Sequence, residues 1–268
     1  MASWFRFFGS ELRLMLTKRR NIAGLGILAL LPILLGIGLR YGGGGGAGLF
    51  DLARGNGLLV PLAALTVAVT MFLPLAIAMV CGDSIAGEAQ QGTLRYLLTV
   101  PVGRTRLLFT KFASLAVGAL VATTVMSLSG AVTGAILFGA GPAMTFSGTT
   151  MSVPETLWRV MLATLYVSAG LIALAAVGLF FSTLTEQPIA AMVIVMVVVA
   201  AMWIVSGLEQ LAFMHPWLLV QQWTAFIDLL RDPPLWSAMG TGLLVDAGYT
   251  LVFLSAAWAH FTSKDVTS

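Results

Sequence analysis

The chain has 268 residues, of which 59% are hydrophobic and only 9% are charged, with a net charge of +3. Soluble domains carry about 25% charged residues, so this composition excludes an ordinary soluble fold, and the small charge excess gives no basis for a nucleic-acid partner. The single cysteine, Cys81, excludes an intrachain disulfide and an all-cysteine metal site.

The apolar residues fall in unbroken runs, not in the short alternating segments of a membrane β-barrel. The expected class is therefore all-α: a polytopic membrane protein forming a single transmembrane domain over residues 1–268. Residues 1–20 interleave Trp4, Phe5, Phe8, Leu12, Met15 and Leu16 with five bases, which predicts an amphipathic helix lying in the membrane interface. A first span follows at about 22–39, with Pro32 expected to kink it. It lacks a small-residue cleavage site and is followed by Arg40 and Tyr41, so it reads as a retained anchor and not a signal peptide. The glycine-rich stretch from Arg40 to Gly57 reads as a flexible loop.

The second span is expected at about 58–81 and the third at about 107–138. Within the third, Gly130 and Gly134 form a small-xxx-small pair suited to packing or to a substrate path. An uncharged loop at about 139–154 leads to a fourth span at about 158–182, and a short turn leads to a fifth at about 189–207. The semi-polar stretch 208–236 holds Trp217, Trp223, Trp236, Asp228, Arg231 and Asp232. It is too polar for a clean span and too apolar for a free loop, so short interfacial or re-entrant helices are expected there. The sixth span is about 239–261.

Six spans put both termini on one side. With that side inside, Arg6, Arg13, Lys18, Arg19, Arg20, Arg95, Arg104, Arg106, Lys111 and Lys264 are cytoplasmic. Only Arg40, Arg54, Arg159 and Arg231 are outside. The imbalance favours cytoplasmic termini and a multi-pass protein of the cell (inner or plasma) membrane.

Ionisable groups within the spans are few. Asp246 lies about two turns into the sixth span and reads either as a substrate or proton site or as an interfacial acid that is hydrated or paired. His260 reads as an interfacial polar residue, and His215 has no nearby Cys or His to make a metal site. No lysine follows a glycine, so no phosphate-binding loop is present and the chain is expected not to be an enzyme. A transporter so built takes its energy from a partner docked on the one large cytoplasmic loop, residues 83–106.

That loop carries Asp83, Glu88, Gly92, Thr93, Leu94, Leu97, Leu98, Pro101, Val102, Arg104 and Lys111 in order. The run resembles the loop after the second span of ABC-2 type transporter permeases, with Gln90 and Gln91 standing where further charge is common. The six-span layout, the amphipathic N-terminal helix and the stretch between spans five and six are similar too. The resemblance implies a permease subunit that pairs with a second permease subunit in the lipid bilayer. It binds no cofactor itself, and ATP and Mg are expected in a separate ATP-binding ABC subunit.

The loop would then be a cytoplasmic coupling helix between spans two and three. In it Glu88 and the glutamines face the ATPase, Gly92 turns the chain, and Leu94, Leu97 and Leu98 pack on the bundle. Pro101 ends the helix, while Arg104, Arg106 and Lys111 meet lipid phosphates or the partner's acids. The function so implied is outward movement of a hydrophobic or amphipathic substrate: a drug, a lipid or a lipid-linked molecule. A proton-coupled secondary transporter using Asp246, or a non-transporting scaffold or sensor coupled to an ATPase, remain the alternatives.

Overall fold

The structure, a computed structural model, describes residues 2–42, 48–90 and 103–263. Its long elements are apolar helices that satisfy their own backbone hydrogen bonds, as a bilayer requires. Helix α1 (Ala2–Thr17) precedes α2 (Arg19–Tyr41), which runs as one helix through Pro32. A short α3 (Leu49–Gly55) and a 3-10 turn at Gly57–Leu59 lead into α4 (Val60–Thr70) and α5 (Phe72–Ser84). After α6 (Ala86–Gln90) come α7 (Arg104–Phe138) and α8 (Val153–Leu184), joined by a two-stranded antiparallel hairpin. In that hairpin β1 (Ala143–Met144) pairs Ala143 with Met151 of β2 (Thr150–Met151). Then follow α9 (Pro188–Ser206), a 3-10 segment at Glu209–Trp217, α10 (Leu219–Gln222), a 3-10 turn at Ala225–Leu230, and α11 (Ser237–Ser263).

Among the described residues five helices, α2, α7, α8, α9 and α11, are each long and apolar enough to cross a membrane. The expected second span is broken: Gly57–Thr70 and Phe72–Ser84 meet at 57°, which gives six spans if the bent pair counts as one. The break sits at Met71 (φ −144, ψ −51), three residues before Pro74. Proline lacks the N–H that would bond the Thr70 carbonyl, and its ring crowds that carbonyl. At 35 residues α7 is roughly 50 Å long, more than a hydrocarbon core of about 30 Å needs. It begins at Arg104, earlier than the sequence reading.

Two further expectations are corrected. The described part of the Arg40–Gly57 connection carries helix α3, which buries Leu49 and Ala53, so it is not simply a flexible loop. The α7–α8 connection, expected as an uncharged loop, holds the small hairpin, and the described chain is otherwise in keeping with the expected all-α class.

Helix α8 is the hub. Most of it is buried, whereas α2, α9 and α11 keep large apolar side chains exposed in the way lipid-facing helices do. Helices α5, α7, α9 and α11 pack around α8, while α2 and α4 pack on α7. Hydroxyl pairs cross the α7–α8 seam: Thr123 with Ser168 at 2.7 Å and Ser127 with Thr164 at 2.8 Å. Gly134 and Gly57 bring two backbones into contact, since a Cβ on either would lie 2.0 Å from the other's carbonyl oxygen. A Cβ on Gly130 would lie 3.0 Å from Pro61 Cα. Both glycines of the small-xxx-small pair therefore pack against the entry to α4.

Candidate functional site

The polar stretch after the second span is described as far as Gln90 and again from Gly103. Gln91, Gly92, Thr93, Leu94, Leu97, Leu98, Pro101 and Val102 lie outside the described residues. What the structure places is the start of that stretch, α6, and what holds it. Ser182, near the end of α8, accepts hydrogen bonds from the amides of Ile85 (3.2 Å) and Ala86 (3.0 Å). A hydroxyl from another helix thus supplies the cap that a helix start requires.

Glu88, in the first turn of α6, turns inward. Its Oε1 accepts from Lys111 Nζ at 2.7 Å, and the same ammonium reaches Glu11 Oε1 at 2.9 Å. One buried lysine of α7 therefore joins α6 to the amphipathic helix α1. Lys111 is 2% exposed, so it meets neither lipid phosphate nor a docked protein, contrary to the sequence reading. Glu88 likewise does not present its carboxylate outward, and the exposed residue of α6 is Gln90. Burial pushes the Glu88 carboxyl above the usual glutamate range, against the opposing pull of the Lys111 ammonium.

Asp83 closes the α5 side. It pairs with Arg20 and lies 3.9 Å from Lys18 Nζ, while Arg20 also donates to the Met79 carbonyl at 3.1 Å. Arg104 starts α7 and donates to the Thr262 carbonyl at 3.1 Å, in the last turn of α11. Cations are favoured at such helix C-termini. Thr105 accepts from the Trp258 indole N–H at 3.0 Å, so Arg104 and Thr105 both tie the start of α7 to α11. Arg106 is half-buried.

The sequence reading missed Glu11 and Ser182. Glu11 had a signal, being the lone acid among the bases of residues 1–20. Ser182 had none, because one hydroxyl at the end of an apolar run is unremarkable.

Asp246 is remote from this cluster. It is 5% exposed on α11, and its Oδ1 is buried without a hydrogen-bond partner among the described residues. Gly170 of α8 lies beside it: a Cβ there would be 3.7 Å from Asp246 Oδ2 and 2.8 Å from the Trp223 indole. Trp223 Nε1 is also buried without a partner among the described residues. Nearby, the Tyr166 hydroxyl donates to the Gln222 carbonyl at 2.8 Å. The acid is thus enclosed by α8 and by the segment between α9 and α11.

At the hairpin end Arg159 is 7% exposed and clasps that segment. Its Nη1 donates to the carbonyls of Leu229 (2.5 Å) and Arg231 (2.9 Å), and its Nη2 pairs with Glu155.

Comparison with known proteins agrees with this architecture. The model of the ABC-2 family transporter proteins matches residues 14–202, most of the chain, and takes in α2 through most of α9, with Glu88, Lys111 and Ser182 among the matched residues. The chain belongs to the ABC-2 family of transporter proteins. It is also 36% identical over 124 residues to a protein of Pseudomonas aeruginosa named "probable ABC transporter permease protein NosY". That alignment takes in 42% of this chain and 43% of the relative, so the chain matches less than half of that protein's length. As a member of the family it is a multi-pass membrane component of an ABC transporter.

Proposed function

We propose that the chain is the permease subunit of an ATP-driven exporter, coupled through α6 to a separate ATP-binding subunit that holds ATP and Mg. Two permease subunits pair in the cell membrane with their termini in the cytoplasm. A hydrophobic or amphipathic substrate, such as a drug, a lipid or a lipid-linked molecule, is moved outward.

The observation that carries this reading is the clamp on α6. A short helix at the base-rich end of the bundle is fixed to α1 and α7 by Lys111 and to α8 by Ser182. Force applied to its exposed end passes to three helices, one of them the hub, without depending on a flexible loop. The thin intramembrane charge of the spans supports an external energy source.

The test is co-expression with an ATP-binding ABC subunit, followed by reconstitution in vesicles. The expected result is a stable complex whose ATP hydrolysis drives transport. Glu88→Ala should weaken docking or uncouple hydrolysis from transport while membrane insertion stays intact. Normal transport by that variant at normal expression would count against the role of α6.

The enclosure of Asp246 favours a second reading, proton-coupled transport. Uptake or efflux driven by a proton gradient without any ATPase, and abolished by Asp246→Asn, would replace the first reading with the second.

A further inference from the structure

Beside the clamp lies a cavity of about 130 Å³ that none of the roles above uses. Its walls come from α1, α2, α5 and α7, and Leu25, Phe72, Leu75, Val80 and Leu115 make it strongly apolar. An apolar cavity of roughly 150 Å³ stays dry and accepts a small hydrocarbon, so this one suits a stretch of alkyl chain. Two glycines keep it open. A Cβ on Gly24 would meet nothing within 4 Å, and one on Gly118 would only touch the end of Met15.

The mouth of the cavity is chemically distinct. Arg20 lines it, and Lys18 and Arg19 directly precede it in sequence, all three exposed, between the amphipathic helix and the first span. Asn21, which lines the cavity, donates its amide to the Met15 carbonyl, but its Oδ1 is buried with no hydrogen-bond partner among the described residues. A buried acceptor without a donor is costly to leave unmade. The arrangement is an alkyl-sized slot, an unfilled acceptor at its edge and three bases outside.

We propose that the cavity binds one acyl chain of an anionic glycerophospholipid from the bilayer leaflet beside α1. The phosphate rests on Lys18–Arg20, and a hydroxyl of the headgroup donates to Asn21. An amphipathic helix in the interface and a basic segment beside it are what draw anionic lipid to a membrane protein. The bound phosphate shares Arg20 and Lys18 with Asp83, so occupancy reaches the end of α5 just before α6. The inference needs only a membrane setting and stands whether or not the exporter reading holds.

The test uses the full-length protein in phosphatidylcholine vesicles containing phosphatidylglycerol with a photoreactive diazirine on its acyl chain. After illumination, adducts are mapped by mass spectrometry. Adducts should be several-fold enriched on residues 72–80 and 115–122 relative to the lipid-facing α9. Unlabelled phosphatidylglycerol should compete several-fold better than phosphatidylcholine.

Gly24→Leu fills the slot with a better helix former. It should cut labelling several-fold while thermal stability is kept, and Arg19→Gln should weaken the headgroup preference. Labelling spread evenly over all spans, equal competition by phosphatidylcholine, or no effect of Gly24→Leu would each overturn the proposal. Cavity walls free of adduct, as a second protein subunit seated there would leave them, would overturn it as well.

Discussion

Lys111 Nζ lies 2.7 Å from Glu88 Oε1, and this contact joins the short helix at the base-rich end of the bundle to its longest span. The same ammonium serves Glu11, so two carboxylates share one buried cation. The three charges do not contribute equally. Lys111 is almost fully buried, whereas each acid keeps about a fifth of its side chain exposed (22% for Glu88, 21% for Glu11).

Lys111→Met should therefore cost more than loss of either acid alone, because it strands two neighbouring carboxylates. Breaking a fully buried pair costs about 3–5 kcal/mol, and the partial exposure of the acids brings the expectation to about 2 kcal/mol. Glu88→Gln should be nearly neutral for folding, since Glu11 still holds the lysine. Glu11→Gln combined with Glu88→Gln should be the most harmful, leaving a buried ammonium without a counter-charge. Thermal unfolding of the four proteins in one detergent checks the order. A Glu88→Gln protein as unstable as Lys111→Met would refute the shared-cation account.

The upward shift of Glu88 sets a pH dependence. With a folded value above the unfolded one, its protonated form contributes stability that is complete below the ordinary glutamate range. That contribution is lost as pH rises through the raised value. Wild type should lose stability as pH rises from the ordinary glutamate range through that raised value, relative to Glu88→Gln, which has no proton to lose. Parallel slopes in unfolding experiments across the window would show that Glu88 is not shifted.

Ser182→Ala removes the acceptor for both the Ile85 and Ala86 amides. Loss of a helix cap costs about 0.5–2 kcal/mol, and here the cost falls on a helix of five residues. Hydrogen exchange at Ile85 and Ala86 should accelerate sharply while exchange along α8 stays as it was. A cysteine in its place, a weaker acceptor, should give an intermediate result.

The spans were legible because a bilayer accepts few alternatives to a long apolar helix. Hydropathy reads six apolar spans, and among the described residues five helices are long and apolar enough to cross a membrane, or six with the bent pair. The bend itself was hidden, because Pro74 sits in an apolar run that reads the same whether straight or broken. The clamp was hidden for a different reason. Counting bases by side treats each as solvated, yet Lys111 is buried by an acid a hundred positions away in sequence. Asp246 reads, from its position along the sixth span, either as a substrate or proton site or as an interfacial acid. Its enclosure depends on Trp223, which arrives from a segment whose path no periodicity reveals.

Gly134 offers a sharp packing test. A Cβ there would sit 2.0 Å from the Gly57 carbonyl oxygen, and backbone cannot move aside as a side chain can. Overpacking typically costs about 1–3 kcal/mol, and Gly134→Ala should reach or exceed the upper end. Gly130→Ala, 3.0 Å from Pro61 Cα, should be milder. Gly38→Ala in α2, where a Cβ meets nothing within 4 Å, should be neutral or slightly favourable. Yields of folded protein by size-exclusion chromatography should follow that order, and equal yields would mean that the α4–α7 contact is looser than described.

Arg159 decides whether the segment at the hairpin end is fixed or loose. Its guanidinium bonds the Leu229 and Arg231 carbonyls with one nitrogen and Glu155 with the other. Hydrogen bonds to charged groups contribute about 1.5–3 kcal/mol each when buried. Arg159→Leu should therefore free Ala225–Leu230 from α8, exposing Phe226 and Leu229, which are fully buried in the intact protein. Limited proteolysis should then cut between residues 224 and 236 at a rate at least several-fold above wild type. Arg159→Lys should recover little of the protection, because an ammonium is a point charge and cannot reproduce the planar fork that spans three acceptors. Full protection by lysine would mean that charge alone holds the segment, and the two-nitrogen geometry would lose its role.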